Sequence, residues 1–190
     1  MSLFANLFTN RVIDLVTKKT IWGSSLATLS NAGYEAFQDD TYTELAPLVL
    51  ADGVETRLVF NKNNLSFLED GHMPRKGNTF YNLWDFDNDV IAVNKGSEGT
   101  IYSIRLQAIG KAATSAAGIG CEAIIRIPND IAIVRRTYPL LKGNQNQRLY
   151  WDLQFYVNEE DIERGFELSL EPFGEQISLW GLNILIKSGD

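Results

Sequence analysis

The chain has 190 residues, which fits a single domain with a short additional segment. Hydrophobic residues make up 45% and charged residues 22%, a composition typical of globular proteins that excludes disordered, collagen-like and coiled-coil chains. Acidic residues outnumber Lys and Arg by 24 to 17, and the net charge of −7 would repel nucleic-acid phosphates and anionic lipid surfaces. A single cysteine, Cys121, and a single histidine, His72, exclude an internal disulfide and any metal site that needs two imidazoles. We therefore expect no nucleic acid, membrane, metal or cofactor among the partners of this protein.

The first 41 residues are predicted to form an N-terminal arm. Polar residues interrupt its apolar stretches, so it matches neither a secretory signal nor a membrane-spanning helix. A short helix is predicted over residues 11–19, because Val12, Leu15 and Val16 would share one helical face. A helix of this length is marginal in water, so the arm must dock either on its own domain or on a neighbouring subunit or partner. The candidate contacts of the arm are its most N-terminal apolar residues, Leu3, Phe4, Leu7 and Phe8.

From about residue 42 to the C-terminus, apolar residues recur at every second position, which is the period of half-buried strands. The pattern is clearest over residues 148–157, where every odd position is apolar. A strand here would bury its odd side chains and turn Tyr150 and Tyr156 away from the core. Because aromatic residues are enriched where proteins meet, these two tyrosines are candidate subunit contacts. Cover by the arm or by a long loop is the alternative interpretation.

Eight or nine short strands alternate with turn-forming Gly, Pro, Asn and Asp residues. This punctuation predicts an all-β protein, a single jelly-roll β-sandwich over residues 42–190 that follows the arm at 1–41. Pro47 cannot donate to a sheet ladder, so the strand around it is expected at a sheet edge. Residues 61–82 are predicted to form a long loop that contains one short strand.

Several groups of residues could carry chemistry, and for each of them a structural role is favoured. The acidic run at 85–89 resembles the opening of a calcium loop, but the required glycine and glutamate are replaced by Val90 and Gly96. Cys121 begins an alternating strand and is predicted to be a buried core thiol. The acids at 159–163 could supply a glycosidase pair, yet adjacent acids in a turn usually face solvent together. Since the chain also lacks a Gly-x-Ser-x-Gly elbow, we predict no catalytic residue and no enzyme activity.

Four segments beyond residue 42 carry a family resemblance. They are TRLVFN (56–61), LWDF (83–86), GTIYSIRL (99–106) and WGLNILI (180–186). These segments resemble the small jelly-roll structural proteins of tailed bacteriophages, whose sandwich is similar to the C1q and tumour-necrosis-factor (TNF) fold. The resemblance implies a compact trimer bound to a virion, as a decoration or cement protein on the capsid or as a knob on a tail fibre. It carries over no catalytic residue.

From this resemblance we expect a non-enzymatic virion structural protein, a homotrimeric capsid decoration or cement protein that stabilises the phage head. Its partners would be its own copies and the major capsid protein or another virion protein, and it would lie on the capsid surface after assembly in the host cytoplasm. The alternative function is a receptor- or glycan-binding knob of a tail fibre that uses the loops at 61–82 and 109–120. A hydrolase built on the acids at 159–163 is a third hypothesis.

Overall fold

The structure is a computed structural model that describes most of the chain. The described residues are 3–6, 11–14, 19–22, 33–67, 75–76, 79–80, 82–93, 100–114, 117–141, 144–158 and 164–189. They form β-strands and one short 3-10 turn, Lys62–Asn64. In chain order the strands are β1 (Leu3–Asn6), β2 (Arg11–Asp14), β3 (Lys19–Trp22), β4 (Gly33–Asp39), β5 (Leu48–Leu50), β6 (Thr56–Arg57), β7 (Leu65–Phe67), β8 (Arg75–Lys76), β9 (Thr79–Phe80), β10 (Trp84–Asp85), β11 (Val90–Ile91), β12 (Ile101–Ala112), β13 (Gly120–Arg126), β14 (Ala132–Pro139), β15 (Gln147–Tyr156), β16 (Glu167–Phe173) and β17 (Ile177–Gly189).

Two antiparallel sheets form the sandwich. The larger sheet has the order β15-β12-β17-β4-β7, and β5 also pairs with β17. The smaller sheet has the order β14-β13-β16-β6. The chain changes sheet between β12 and β13, between β14 and β15, and on each side of β16, which is the connectivity of a jelly roll. The predicted all-β jelly-roll sandwich is therefore confirmed.

The alternating pattern decides which side chains fill the space between the sheets. In β15 the odd residues from Leu149 to Phe155 are at most 6% exposed, whereas the even residues face outward, as the sequence predicted. The indole Nε1–H of Trp151 crosses the core and donates a hydrogen bond of 3.1 Å to the carbonyl oxygen of Cys121 on β13. A second group of core aromatics packs edge to face, with ring centres 5.1 Å apart for Phe37 and Phe60 and 4.8 Å apart for Phe60 and Trp84. Large rings thus join the two sheets at both ends of the core.

The N-terminal region differs from the sequence prediction in two ways. The helix predicted over residues 11–19 is not found in the part of the chain that the structure describes, because Arg11–Asp14 is strand β2 and Lys19 begins β3. Its β-branched residues Val12 and Ile13 favour extended backbone, and β2 pairs with both β1 and β3. The second difference is that β4 lies within the predicted arm but pairs along β17, so the sandwich begins before residue 42. Leu7 and Phe8 lie outside the described residues.

Pro47, which has no backbone N–H to donate, lies outside the sheet ladders. It immediately precedes β5, a three-residue strand that pairs with β17 alone among the described strands. The loop at 61–82 is predicted to contain one short strand, and the described part of it has three: β7, which forms the edge of the larger sheet beside β4, and the short pair β8 and β9.

Candidate functional site

The outward side of the larger sheet, called here the large face, is the candidate site. The register of β15, β12, β17 and β4 aligns its side chains in rows that run across the strands. The first row consists of Tyr150, Gln107, Asn183 and Gln38, the second of Asp152, Arg105, Leu185 and Ala36, and the third of Gln154, Ser103, Lys187 and Tyr34.

The middle of the large face is a concavity. Ala36 and Leu185 are adjacent partners on β4 and β17, and the short alanine side chain leaves the sheet surface low at that point. Longer side chains from Tyr34, Arg105 and Lys187 stand around it, and the open depression has a volume of about 560 Å³. Such a depression can receive a protruding group from a partner surface.

Exposed apolar and aromatic groups lie on the β15 side of the large face, beside this concavity. Tyr150 is 36% exposed, Tyr156 is 56% exposed, and Ile101, the partner of Tyr156 on β12, is 46% exposed. The guanidinium carbon of Arg105 lies 5.3 Å from the centre of the Tyr150 ring, and its Nε donates to Asp152 Oδ1 at 3.2 Å. Contact with the Tyr150 ring and with Asp152 restrains the arginine side chain, so less conformational entropy is lost if a partner covers it.

The charge of the large face is opposite in sign to the charge of the whole chain. Four cationic side chains stand on its described strands, against two carboxylates, Asp152 on β15 and Asp40, which follows β4 and accepts a hydrogen bond from Gln38. The cations are Arg105, Lys111, Arg148 and Lys187. The large face therefore carries a local excess of positive charge, although the chain as a whole carries −7.

The outward side of the smaller sheet, called here the small face, has a different construction. Arg126 binds both oxygens of Glu55, at 3.0 Å from Nε and 2.5 Å from Nη2. Arg135 bridges Glu122 at 2.9 Å and Glu171 at 3.2 Å. The hydrogen bond from Arg126 is the main reason that the pKa of Glu55 is lowered.

A further ion pair joins Arg57 to Glu167 at 2.8 Å beside this network. The charged groups of the small face are therefore paired within one chain and form a solvated surface. The neighbouring arginines 135 and 136 point to opposite sides of β14, as their alternation predicted, since Arg136 lies opposite the core residue Ala123.

The sequence identified part of the large face. It predicted that Tyr150 and Tyr156 point outward, and both do. Leu3 and Phe4 lie in β1, for which the structure describes the backbone alone. Their role as contacts therefore stays a prediction. The sequence reasoning missed Arg105 and Leu185, although both occupy outward positions in strands whose alternation was recognised.

The other groups singled out in the sequence show no chemical role in the described residues. Asp85 Oδ1 accepts the backbone N–H of Asp87 at 2.9 Å and of Asn88 at 3.1 Å, so this carboxylate closes a turn. Cys121 is fully buried, and burial raises the pKa of its thiol to about 12, which keeps it protonated and unreactive. His72 and the acids at 159–163 lie outside the described residues.

The described residues contain neither a membrane-crossing helix nor a cluster of metal ligands. No helix in them has the length and apolarity that crossing a bilayer requires. No three His, Cys, Asp or Glu side chains in the same residues come together as a metal site would need.

The fold and the two faces define a jelly-roll sandwich protein. Its small face pairs its charged groups with one another, and its large face is concave, aromatic and basic. No family model and no curated protein sequence matches this chain. Among solved structures, the PRD1 vertex protein P5 is similar over 84% of this chain and 99% of its own, with 13% identity and a TM-score of 0.42. Eiger TNF from S. frugiperda is similar over 84% of this chain and 94% of its own, with 10% identity and a TM-score of 0.47.

The VP2 subviral particle of infectious bursal disease virus is also similar, over 86% of this chain and 58% of that one, with 11% identity and a TM-score of 0.30. At these identities and TM-scores, no functional residue is carried over from the three proteins.

Proposed function

We propose that this protein is a non-enzymatic virion structural protein, a homotrimer that decorates or cements a phage capsid and contacts its own copies through the large face. The observation that carries the self-association is the contrast between the two faces. The small face satisfies its charges within one chain, whereas the large face presents tyrosines, amides and an excess of cations around a concavity.

The extent of the large face supports a stable contact. A specific interface buries about 1,200 to 2,000 Å² in total, more than two tyrosines can supply. The rows on β4, β12, β15 and β17 extend the surface across four strands. Tyr150 and the half-exposed Tyr156 would provide the aromatic contacts that interfaces favour, and Leu185 would lie at the centre.

The distribution of charge favours a ring over a two-fold dimer. In a two-fold dimer the large face would meet itself, and its cations would face one another at a cost of several kcal/mol. Outside this face the chain has an excess of acidic residues, so the face attracts a different surface of a second copy. Contacts between two different surfaces form a ring when the rotation between copies closes, and a trimer is the smallest such ring.

The virion setting is supported by the sequence resemblance to jelly-roll structural proteins of tailed phages. In this proposal the protein lies on the capsid surface and assembles in the host cytoplasm. The part of the predicted arm that precedes β4 would attach it to the major capsid protein or another virion protein, with Leu3, Phe4, Leu7 and Phe8 as contacts. Removal of residues 1–20 should weaken attachment to the particle while the sandwich still folds, and undiminished attachment would contradict the role of the arm.

The self-association is tested by the mass of the full chain in solution. A trimer of the 21.3 kDa chain is expected for the wild type. Leu185→Arg, which adds a cation at the centre of the large face, should give a monomer. Ile133→Arg makes the same kind of change on β14 of the small face, where Ile133 is 38% exposed, and should leave the trimer intact. A monomeric wild type, or equal behaviour of the two variants, would contradict the proposal.

The virion role is tested separately by locating the chain and counting its copies in purified particles. Binding at capsid positions in multiples of three supports a decoration or cement protein. Absence from the particle contradicts the virion role without affecting the test of self-association.

A glycan-binding tail-fibre knob is the second candidate, and one observation favours it. The concavity brings the Tyr34 ring together with the amides of Gln107 and Asn183 and the guanidinium of Arg105, groups that bind sugar hydroxyls and carboxylates. A glycan array separates the two functions, because a cement protein should show no selective binding.

A further inference from the structure

Strand β4 carries a buried carboxylic acid that the proposed function does not use. Glu35 is 1% exposed and lies opposite the core residue Ile186 of β17. Its Oε2 accepts two backbone hydrogen bonds, from Leu83 N–H at 2.7 Å and from Trp84 N–H at 3.0 Å. Its Oε1 is buried and has no hydrogen-bond partner among the described residues. A buried carboxyl with one oxygen unsatisfied is costly to keep ionised.

These two hydrogen bonds fasten the hairpin formed by β10 and β11 to the larger sheet. Leu83 and Trp84 are fully buried, and the Trp84 ring packs against Phe37 and Phe60. The other strand of the hairpin is tied to the smaller sheet, where Ile91 N–H donates to the carbonyl oxygen of Phe166 at 2.8 Å. The segment at 82–93 therefore spans the gap between the sheets, and Glu35 supplies side-chain hydrogen bonds on the β4 side.

The charged and titratable groups of the larger sheet leave the Glu35 carboxyl unneutralised. Lys187, beside Ile186 on β17, points to the large face instead. Asp39 shares the inward side of β4 but lies four residues further along, about 13 Å away. Tyr102 on β12 is buried in a neighbouring row, where its ring stacks on Phe155 at 5.4 Å.

Groups on the hairpin and the smaller sheet also make other contacts. The Asp85 carboxylate accepts hydrogen bonds within its own turn. The Nζ of Lys62 lies 5.9 Å from the centre of the Phe86 ring. Arg57 and Glu167 pair with each other on the outward side. The pKa of Glu35 is raised mainly by burial and is held back in part by the two backbone donors, Leu83 and Trp84.

We propose that Glu35 is a pH-dependent latch that holds the 82–93 hairpin against β4 most tightly when its carboxyl is neutral. The neutral group keeps Oε2 as an acceptor for both amides and removes a buried charge. The direction follows from linkage, since a carboxyl whose pKa is higher in the folded state stabilises that state most at low pH. The stabilisation is lost as the pH rises through the folded-state pKa. The latch does not depend on self-association and stands independently of the proposed function.

The test compares wild type with Glu35→Gln, which keeps an acceptor oxygen and cannot ionise. Amide hydrogen exchange is measured between pH 5 and 8 and expressed as protection factors, so that the intrinsic pH dependence of exchange is removed. In the wild type, protection at Leu83 and Trp84 should fall by up to about tenfold per pH unit between the ordinary value of 4.5 and the raised folded-state pKa, as expected for one proton, and should level off above that pKa. In Glu35→Gln it should not change with pH. The Ile91 amide, on the opposite side of the hairpin, is the internal reference.

Two results would overturn the latch. One is wild-type protection at Leu83 and Trp84 that does not change with pH relative to Ile91. The other is obtained without any variant, from the carboxyl carbon resonance of Glu35 in the wild-type protein. A titration midpoint at or below 4.5, the ordinary value for glutamate, would overturn the proposal even if Glu35→Gln failed to fold.

Discussion

The two outward sheet surfaces of this protein satisfy their polar groups in different ways. On the small face, Arg126 and Arg135 bind Glu55, Glu122 and Glu171 within the same chain. On the large face, Arg105 and Asp152 form one ion pair, with both side chains about half exposed, and Lys187 lines the concavity together with Tyr34 and Asn183. An internally paired surface gains little from a partner, whereas a concave aromatic surface with excess charge gains both apolar burial and charge complementarity. The contrast identifies the surface on which association is expected.

The largest expected effect comes from filling the concavity of the large face. Ala36→Phe places a ring where Ala36 and Leu185 now leave space, and it adds no charge. Because a central contact of an interface contributes about 2 kcal/mol or more, the dissociation constant of the trimer should rise at least about 30-fold. Sedimentation equilibrium measures this change. Ile133→Phe on the small face is the matched control, and an unchanged mass for Ala36→Phe would exclude the large face from the contact.

The next largest effect is expected from reversing a charge on the large face, which tests whether its cations contribute to assembly. Lys187→Glu reverses one cation of the large face and should weaken assembly about tenfold, and rising salt should weaken wild-type assembly in the same direction. Arg136→Glu, which reverses an exposed charge on β14, serves as the control. Assembly that is indifferent to salt and to Lys187→Glu would show that charge plays no part in the contact.

The third prediction concerns the small face, where the expected change is in stability and not in mass. Glu55→Gln should lower the free energy of unfolding by about 1 kcal/mol at neutral pH, because it removes a bidentate ion pair that is partly screened by solvent. The pKa of Glu55 is lowered in the folded state, so its stabilisation is present above the ordinary value of 4.5 and is lost as the pH falls. Urea denaturation should therefore show the two proteins converging in acid. A persistent difference at low pH would mean that packing, not charge, is responsible.

The smallest effect is expected for the exposed ion pair of the large face. Asp152→Asn, made in the weakly assembling Ala36→Phe background and measured at a dilution where that protein is monomeric, should change the free energy of unfolding by less than about 0.5 kcal/mol, since both partners are screened by water. Thermal denaturation should show a shift of no more than about 2 °C. A larger loss would mean that the Arg105 environment is desolvated even without a partner.

The sequence predicted the architecture well wherever side chains alternate without interruption. Over β15 the burial of Leu149 and Trp151 and the outward direction of Tyr150 follow directly from the period of the strand. The prediction of a helix over residues 11–19 is wrong for the residues that the structure describes. A stretch of nine residues fits helix and strand periods almost equally well, and pairing between neighbouring segments decides between them.

The site was only partly predictable for a related reason. Ala36 lies in β4, which the sequence assigned to the arm because the strand breaks the pattern by burying Glu35 and Asp39 on its inward side. Without β4 in the sheet, the concavity has no wall and Leu185 has no neighbour there. The buried acid Glu35 likewise shows its role only once Leu83 and Trp84 are seen to donate to it from 48 and 49 residues away.

The sequence by itself determined which side of each strand is apolar, because successive side chains of a strand point in opposite directions whatever the strand pairs with. Only the tertiary structure decided which strands lie side by side, because pairing joins segments far apart in the chain. The rows of the large face combine residues from positions 34 to 187, and the concavity and its excess of cations exist only after those strands have paired.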